Sequence, residues 1–240
     1  MNDLRQGFHD EMDNIRNQVA RVGAYIVELI PRVTAVMLNQ DLEAAELIMV
    51  ADQDIDRKTL EIEEQSLKLL ALQSPVAGDL REVASALKIA ADMERSADLA
   101  CNICKAARRI HGHDLDPKLR GLIQKLSDQA TKEYRKAVDA YINRDVMESA
   151  ALADIDEYLD DLHRQFLQQI IESNAAQAID LQVAVQLTLV ARFYERLGDH
   201  AVNLGNRVRY IEQGNLPEHH VSDRELEAPA GAALGTNSGE

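Results

Sequence analysis

One acidic motif occurs twice in this chain. The first copy runs from Glu94 to Ile103 and the second from Glu195 to Leu204, and both read E-R-x-x-D-x-A-x-N-[IL]. Residues four apart on an α-helix share one face, so each copy places two carboxylates one turn apart. Like charges at this spacing repel each other, and a bound cation would offset the repulsion. Carboxylate and amide oxygens are hard ligands that suit Mg²⁺, Ca²⁺, Mn²⁺ or iron.

Two pairs of aspartates with the same four-residue spacing precede these motifs. Asp52 and Asp56 come before the first copy, and Asp156 and Asp160 come before the second. If the helices that carry them are antiparallel neighbours of the motif helices, each half of the chain gains a four-carboxylate metal site. The candidate ligands are Asp52, Asp56, Glu94 and Asp98 in the first half and Asp156, Asp160, Glu195 and Asp199 in the second.

Helical periodicity runs almost from end to end, and no segment shows the alternation typical of a β-strand. The predicted helices cover residues 3–38, 42–72, 76–110, 117–142, 145–173 and 177–212. Two of them begin with a capping residue followed by proline, at Ser74-Pro75 and at Asp116-Pro117. Pro31 lies inside the first helix and is expected to kink it, and Gly112 is expected to end the third.

The repeat divides the chain into two similar halves. Asp52 and Asp156 are 104 residues apart, whereas Glu94 and Glu195 are 101 apart, so a length difference of three residues falls in the hairpin between them. Each half is then an up-down-up unit of three helices, and the fold class is all-α with six long helices. We predict domains over 1–112 and 113–214, followed by a disordered tail over 215–240 that is rich in Pro and Gly.

The helical periodicity also places the acidic rows relative to the core. In the third helix the apolar stripe runs over 89–110, and in the sixth it runs over 190–211. At 100° per residue, the rows that begin at Glu94 and Glu195 fall opposite these stripes. Both rows are therefore predicted to lie on the surface of the bundle.

Composition narrows the classes of function. The net charge of −15 makes nucleic acid an unlikely partner, because phosphate binding relies on basic patches. No apolar run was found to be long enough to span a bilayer, and the N-terminus does not read as a signal peptide, which predicts a cytoplasmic protein. The cysteines, Cys101 and Cys104, fall within a helical pattern and are interpreted as reduced structural thiols. His200 could join the second site, but a lone helical histidine is more often structural.

The chain resembles the PhoU family of phosphate-signalling regulators over about residues 5–213. The resemblance rests on the block from Pro75 to Asp98 and on its counterpart from Phe193 to Asn203. It implies two tandem three-helix bundles related by internal pseudo-two-fold symmetry. It also implies multinuclear metal clusters on the eight carboxylates, with iron foremost and Mg, Mn or Zn as alternatives. The first half departs from the family pattern at Leu99, which stands where the second half has a histidine.

The resemblance also implies a function. Members act in the cytoplasm as negative regulators of the phosphate-starvation (Pho) response and as modulators of phosphate uptake. They serve as adaptors between the ATPase subunit of the phosphate ABC transporter and the sensor histidine kinase of the phosphate two-component system. They reach the membrane only through these partners, form homodimers and have no catalytic residues.

Two other interpretations stay open from the residues alone. The chain could be a metal-dependent helical-bundle enzyme with carboxylate-bridged clusters, although no nucleophile or general base stands apart from the candidate ligands. It could also be a plain structural bundle whose acidic faces are solvated and neutralised by neighbouring arginines, namely Arg57, Arg95 and Arg196.

Overall fold

The computed structural model describes residues 2–214, with side chains from residue 6 onward, and this part of the chain contains six α-helices and no strand. The helices are α1 (Asn2–Asn39), α2 (Leu42–Gln73), α3 (Ala77–Arg109), α4 (Pro117–Asn143), α5 (Val146–Ala175) and α6 (Leu181–Gln213). The predicted all-α fold class is confirmed. The predicted tail, residues 215–240, lies outside the described residues.

Aspartate caps fix the starts of four helices. The Asp116 carboxylate accepts hydrogen bonds from the backbone N–H groups of Lys118 at 2.8 Å and Leu119 at 3.0 Å, as the Asp-Pro pattern predicts. Asp41, Asp145 and Asp180 cap α2, α5 and α6 in the same way. These bonds satisfy N–H groups that the first helical turn leaves without a partner.

Two predicted helix starts are wrong. Ser74 does not cap α3; it adopts a left-handed conformation (φ 45°) at the end of α2, and Val76 precedes α3 without a side-chain cap. The sixth helix begins at Leu181 instead of residue 177, because Gln177 is left-handed (φ 58°) and Asp180 provides the cap. In both places the apolar periodicity of the sequence continues, although a residue with left-handed backbone interrupts the helix.

Four helices form an inner layer and two lie outside it. Helix α1 packs against α3 and α4, and α6 packs against the same two helices. Helix α2 covers α1 and α3, whereas α5 covers α4 and α6. The buried apolar side chains form one continuous cluster across both halves. The two three-helix units therefore share a core, with the first and third helices of each unit at the interface between them.

Buried polar contacts join the two halves. Thr34 of α1 lies 2.6 Å from the Tyr194 hydroxyl of α6, and the Tyr134 hydroxyl of α4 donates to Ser96 of α3 at 3.0 Å. Each contact satisfies groups that would be costly to bury alone. Because these partners must meet, the contacts favour one particular docking of the halves.

The first helix contains a long apolar segment. The segment Gln6–Asn39 could span a membrane by length and composition, and 50% of its most apolar window is buried inside the protein. Charged residues interrupt this segment, which is why the sequence pattern did not single it out. Its burial against α2, α3 and α4 is that of a core helix.

Candidate functional site

In the second half, the acidic motif of α6 lies against α5. A Cβ on Gly198 would lie 2.5 Å from Asp156 Oδ1, so the absence of a side chain lets the two helices approach closely. Burial raises the pKa of Glu195, and the charge of Asp199, followed by those of Asp160 and Asp156 of α5, adds to the rise. The structure therefore brings together the four carboxylates predicted for this half.

The charged form is disfavoured at several of these carboxyls. Burial raises the pKa of Glu195 to about 7, and Asp199 adds to the rise while Arg192 opposes it. Burial, followed by the charges of Asp160 and Asp199, raises the pKa of Asp156. Carboxylates crowded in this way would be stabilised by a cation.

The four carboxylates of the first half also lie together, and Asp56 is more exposed than its counterpart Asp160. Asp52 of α2 and Glu94 of α3 are half-buried, whereas Asp56 and Asp98 are exposed. Burial raises the pKa of Glu94, and the charges of Asp98, Asp56 and Asp52 add to the rise. Burial likewise raises the pKa of Asp52, although a hydrogen bond from the Cys101 thiol opposes this shift.

The prediction that both acidic rows lie on the surface is wrong for Glu195, whose side chain is only 15% exposed. Helix α6 contacts α3, α4 and α5, so it buries a second stripe besides the one identified in the sequence. That second stripe includes Ala191, Gly198 and Gly205. Glu195 lies at its edge, where α5 covers much of the side chain.

The arginines that neutralise the acidic rows differ from those expected. Glu195 pairs with Arg192, one turn before it, instead of with the adjacent Arg196. Arg57 pairs with Asp54 at 2.8 Å and approaches Glu61 at 3.9 Å. Because all these pairs lie within one helix, they leave the contact between the aspartate helix and the motif helix acidic in each half.

The carboxylates of each half lie near one another, but their oxygens are not arranged around a single metal position. Among the described residues, no three His, Cys, Asp or Glu side chains have the arrangement of a formed metal site. One reason is visible at Glu195, whose Oε1 is held by Arg192 while its Oε2 has no hydrogen-bond partner. The donor set fits a hard cation chemically, but ligation would require these side chains to turn.

A fifth carboxylate in the second half was missed by sequence reasoning. Glu133 of α4 is fully buried, and Gln129 Nε2 donates to its Oε1 at 2.7 Å. Burial, followed by the charge of Asp156, raises the pKa of Glu133. The sequence does contain a signal for this residue. Glu133 lies on the same face of α4 as the apolar residues Leu126, Ala130 and Ala137, where a glutamate is unexpected.

His200, Cys101 and Cys104 are all buried, but their surroundings differ. His200 is buried, and its Nδ1 lies 3.6 Å from Asp92 Oδ1 of α3, but neither ring nitrogen has a hydrogen-bond partner among the described residues. Cys101 and Cys104 are free and buried, as the interpretation as structural thiols requires. Burial raises the pKa of the Cys104 thiol to about 11, which keeps it protonated at neutral pH.

Comparison with known proteins identifies the family. The model of the PhoU domain matches residues 19–107 and again 123–208, once in each half. The chain belongs to the PhoU family. Phosphate-specific transport system accessory protein PhoU homolog 1 of Mycobacterium tuberculosis is 34% identical over 89% of this chain and 96% of its own length. Homolog 2 of the same organism is 31% identical over 89% of this chain and its full length.

Solved PhoU structures have the same fold. The crystal structure of PhoU from Pseudomonas aeruginosa superposes with a TM-score of 0.82 over 87% of this chain and all of that one, at 22% identity. PhoU from Streptococcus pneumoniae, a phosphate transport system regulatory protein, gives a TM-score of 0.80 over 87% and 98% of the two chains, at 24% identity. At these identities the match establishes the fold alone.

Proposed function

We propose that this chain is a cytoplasmic negative regulator of the phosphate-starvation response that also restrains phosphate uptake. The observation that carries the proposal is its match to two mycobacterial accessory proteins of phosphate-specific transport, at 31% and 34% identity over almost the whole length of each. The role is that of an adaptor between the ATPase subunit of the phosphate transporter and the sensor histidine kinase. The adaptor would bind the kinase and the transporter differently in different transport states. This difference would bias an existing equilibrium, and the adaptor itself would catalyse no reaction.

An exposed apolar stripe on α6 supports partner binding. Leu181, Val185 and Leu189 are spaced four residues apart and are 71%, 49% and 40% exposed. In the first half the equivalent positions, 101 residues earlier, are Leu80, Ala84 and Lys88, so the stripe is specific to the second half. A row of exposed apolar side chains on one helix face is typical of a protein-binding surface. We assign this stripe to contact with the transporter or the kinase.

The carboxylates are proposed to hold metal ions. In the first half the ligands would be Asp52, Asp56, Glu94 and Asp98, and in the second Asp156, Asp160, Glu195 and Asp199. The unpartnered buried oxygen Glu195 Oε2 supports this proposal, because a buried acceptor without a donor is costly. Iron is the cation that family resemblance favours, with Mg²⁺, Mn²⁺ or Zn²⁺ as alternatives. The metal would neutralise the acidic faces and fix the contact between the second and third helix of each half.

The proposal is tested by deleting the gene and measuring alkaline phosphatase, or another phosphate-starvation reporter, in phosphate-replete cells. We expect constitutively high output that returns to low when the gene is supplied again. The Asp139→Asn chain, altered at an exposed position on α4, should complement as well as the wild type. Reporter output that stays low after deletion would contradict the regulatory role. Sedimentation of the purified chain would test the expected homodimer separately.

A further inference from the structure

One end of the surface formed by α3 and α6 is apolar and positively charged, although the chain as a whole is acidic. The exposed row of Leu181, Val185 and Leu189 lies on the first turns of α6. From the charges beside this row, we propose that it binds an acidic amphipathic helix of a partner protein. The apolar side chains of that helix would lie on the row, and its carboxylates would contact the cations of α3. This inference rests on the proposed adaptor function and names the chemistry of the partner surface.

Two cations of α3 lie beside the apolar row. Arg109 Nη1 donates at 3.2 Å to Oε1 of Gln186, the residue that follows Val185. Lys105 lies one turn before Arg109 on the same face of α3, and its Nζ donates to Asn102 Oδ1 at 3.0 Å. Both cations are exposed and both are bonded to neutral amides. A carboxylate from a partner would therefore form a stronger, charge-assisted bond with either of them.

The two helix segments that form this end carry no acidic residue. Residues 99–109 of α3 and 181–194 of α6 contain no Asp or Glu, in a chain whose net charge is −15. Asp180 precedes the row, but its carboxylate accepts a hydrogen bond from the backbone N–H of Val183 at 2.8 Å and lies 3.1 Å from His113 Nε2. The charges that these segments place beside the row are therefore positive, and they would attract an acidic segment.

The opposite end of the same surface lacks both features. Asn206 and Tyr210 stand 101 positions after Lys105 and Arg109, so the two cations have no charged counterpart there. A lysine, Lys88, takes the place of the last leucine of the row. The complete apolar row and its flanking cations thus occur together at one end of the molecule, which indicates one binding surface with an apolar and a charged part.

The arrangement favours a helix of another protein over two alternatives. Three side chains at four-residue spacing form a ridge about 12 Å long, which suits the groove of a packed helix. A second copy of this chain, paired by two-fold symmetry, would bring the same cations together. An anionic lipid surface would attract the cations but repel a chain with a net charge of −15. A short acidic helix would contact only the positive end, so it avoids most of that repulsion.

The test is binding of two synthetic probes to the full chain, measured by fluorescence anisotropy. Both probes are alanine-based helices with leucines at four-residue spacing, and they differ in carrying glutamates or lysines beside the leucines. We expect the glutamate probe to bind more tightly, although the net charge of the chain favours the lysine probe. Val185→Asp should weaken binding of the glutamate probe by more than about 10-fold, and Lys105→Gln/Arg109→Gln should weaken it about 5-fold.

Matched control variants lie elsewhere on the surface. Val50→Asp alters an exposed valine of α2, and Lys132→Gln/Arg135→Gln neutralises two exposed cations of α4. Both controls should bind the glutamate probe as the wild type does. Should Val185→Asp fail to fold by circular dichroism, Leu181→Ala/Val185→Ala, which favours the helix, is expected to weaken the same binding. Unchanged binding in that variant would contradict the proposal.

The remaining outcomes separate this inference from the function on which it rests. Preference for the lysine probe, or no binding of either probe, would overturn it. A dimer that Val185→Asp dissociates in sedimentation, or binding to phosphatidylglycerol vesicles that this variant abolishes, would overturn it as well, because a second copy or lipid would then occupy the row. Reporter output that stays low after gene deletion would instead contradict the regulatory role. Where deletion raises output, full complementation by Val185→Asp would overturn the inference and leave that role standing.

Discussion

The two halves carry the same acidic motif in different surroundings. In the second half, α5 covers Glu195, the absence of a side chain at Gly198 lets Asp156 and Glu133 pack closely against α6, and Glu133 is fully buried. In the first half, Leu29 and Ala97 stand at the positions of Glu133 and Gly198, and Asp56 is exposed where its counterpart Asp160 is half-buried. The motif fixes which carboxylates meet, but residues outside it decide how strongly water and neighbouring charges act on them.

A second difference concerns the groups that oppose the negative charge. Glu195 is paired with Arg192, whereas Ala91 stands at the equivalent position before Glu94. Asp52 in turn receives a hydrogen bond from the thiol of Cys101, where the second half has Val202. In the second half, the buried Glu195 thus has a cationic partner. In the first half, Asp52 has a neutral thiol as its partner.

The largest expected effect is a pH-dependent difference in stability at Glu195. Its folded pKa of about 7 lies above the unfolded value of 4.5 because of burial, so the folded state holds the proton longer as pH rises. Without metal, wild-type stability should therefore fall between about pH 4.5 and 7 relative to Glu195→Gln, by roughly 2–3 kcal/mol. Urea unfolding of both chains in chelator at pH 4.5 and 7.5 measures this. Glu94→Gln should show a smaller change, and equal changes at the two positions would contradict the difference in burial between the halves.

The close approach at Gly198 predicts the next largest effect. An added methyl would lie 2.5 Å from Leu159 Cδ2, so Gly198→Ala should destabilise the fold by about 1–2 kcal/mol despite the higher helix propensity of alanine. Gly121→Ala is the matched control, because nothing lies within 4 Å of its Cβ position, and it should stabilise α4 by up to about 1 kcal/mol. Thermal unfolding of both variants tests the difference in sign, and a stabilising Gly198→Ala would contradict the packing described here.

Release of Glu195 from its ion pair should strengthen cation binding in the second half. Arg192→Gln removes the cation that holds Glu195 Oε1, so Mn²⁺ affinity in the second half is expected to rise several-fold, equivalent to about 1 kcal/mol. Arg196→Gln, altered at an exposed arginine, serves as the control. Titration of both variants distinguishes a competing ion pair from a general effect of net charge, which would raise affinity equally in the two.

The smallest effect is expected at Cys101. Replacing this buried thiol by the valine found at the equivalent position of the second half should change stability by less than about 1 kcal/mol. It also removes the hydrogen bond to Asp52, so the pKa of Asp52 should rise further. Carboxyl titration by NMR, with Cys104→Val as the control, would detect the shift. A large loss of stability would show that the thiol has a structural role beyond packing.

Much of the fold follows from local sequence signals, and the deviations have physical causes. The apolar periodicity predicts six helices, and the Asp-Pro pattern at Asp116 places a start correctly. Ser74 misleads because it adopts the left-handed conformation that ends α2, so Val76 and not Ser74 precedes α3. Periodicity also cannot distinguish a helix with one buried stripe from one that contacts three neighbours. The partial burial of Glu195 and the position of Glu133 depend on that tertiary contact.

The inequality of the two halves is tested most directly by disabling one site at a time. Mn²⁺ titration would compare the wild type with Asp52→Asn/Asp98→Asn and with Asp156→Asn/Asp199→Asn, with folding confirmed by circular dichroism. We predict that the tightest binding step persists in the first double variant and disappears in the second. We expect this because burial and crowding raise the pKa of Glu195 to about 7, so a cation gains most there. A tight step that is lost only from the first double variant, or that survives in both, would contradict stronger binding by the more crowded carboxylates of the second half.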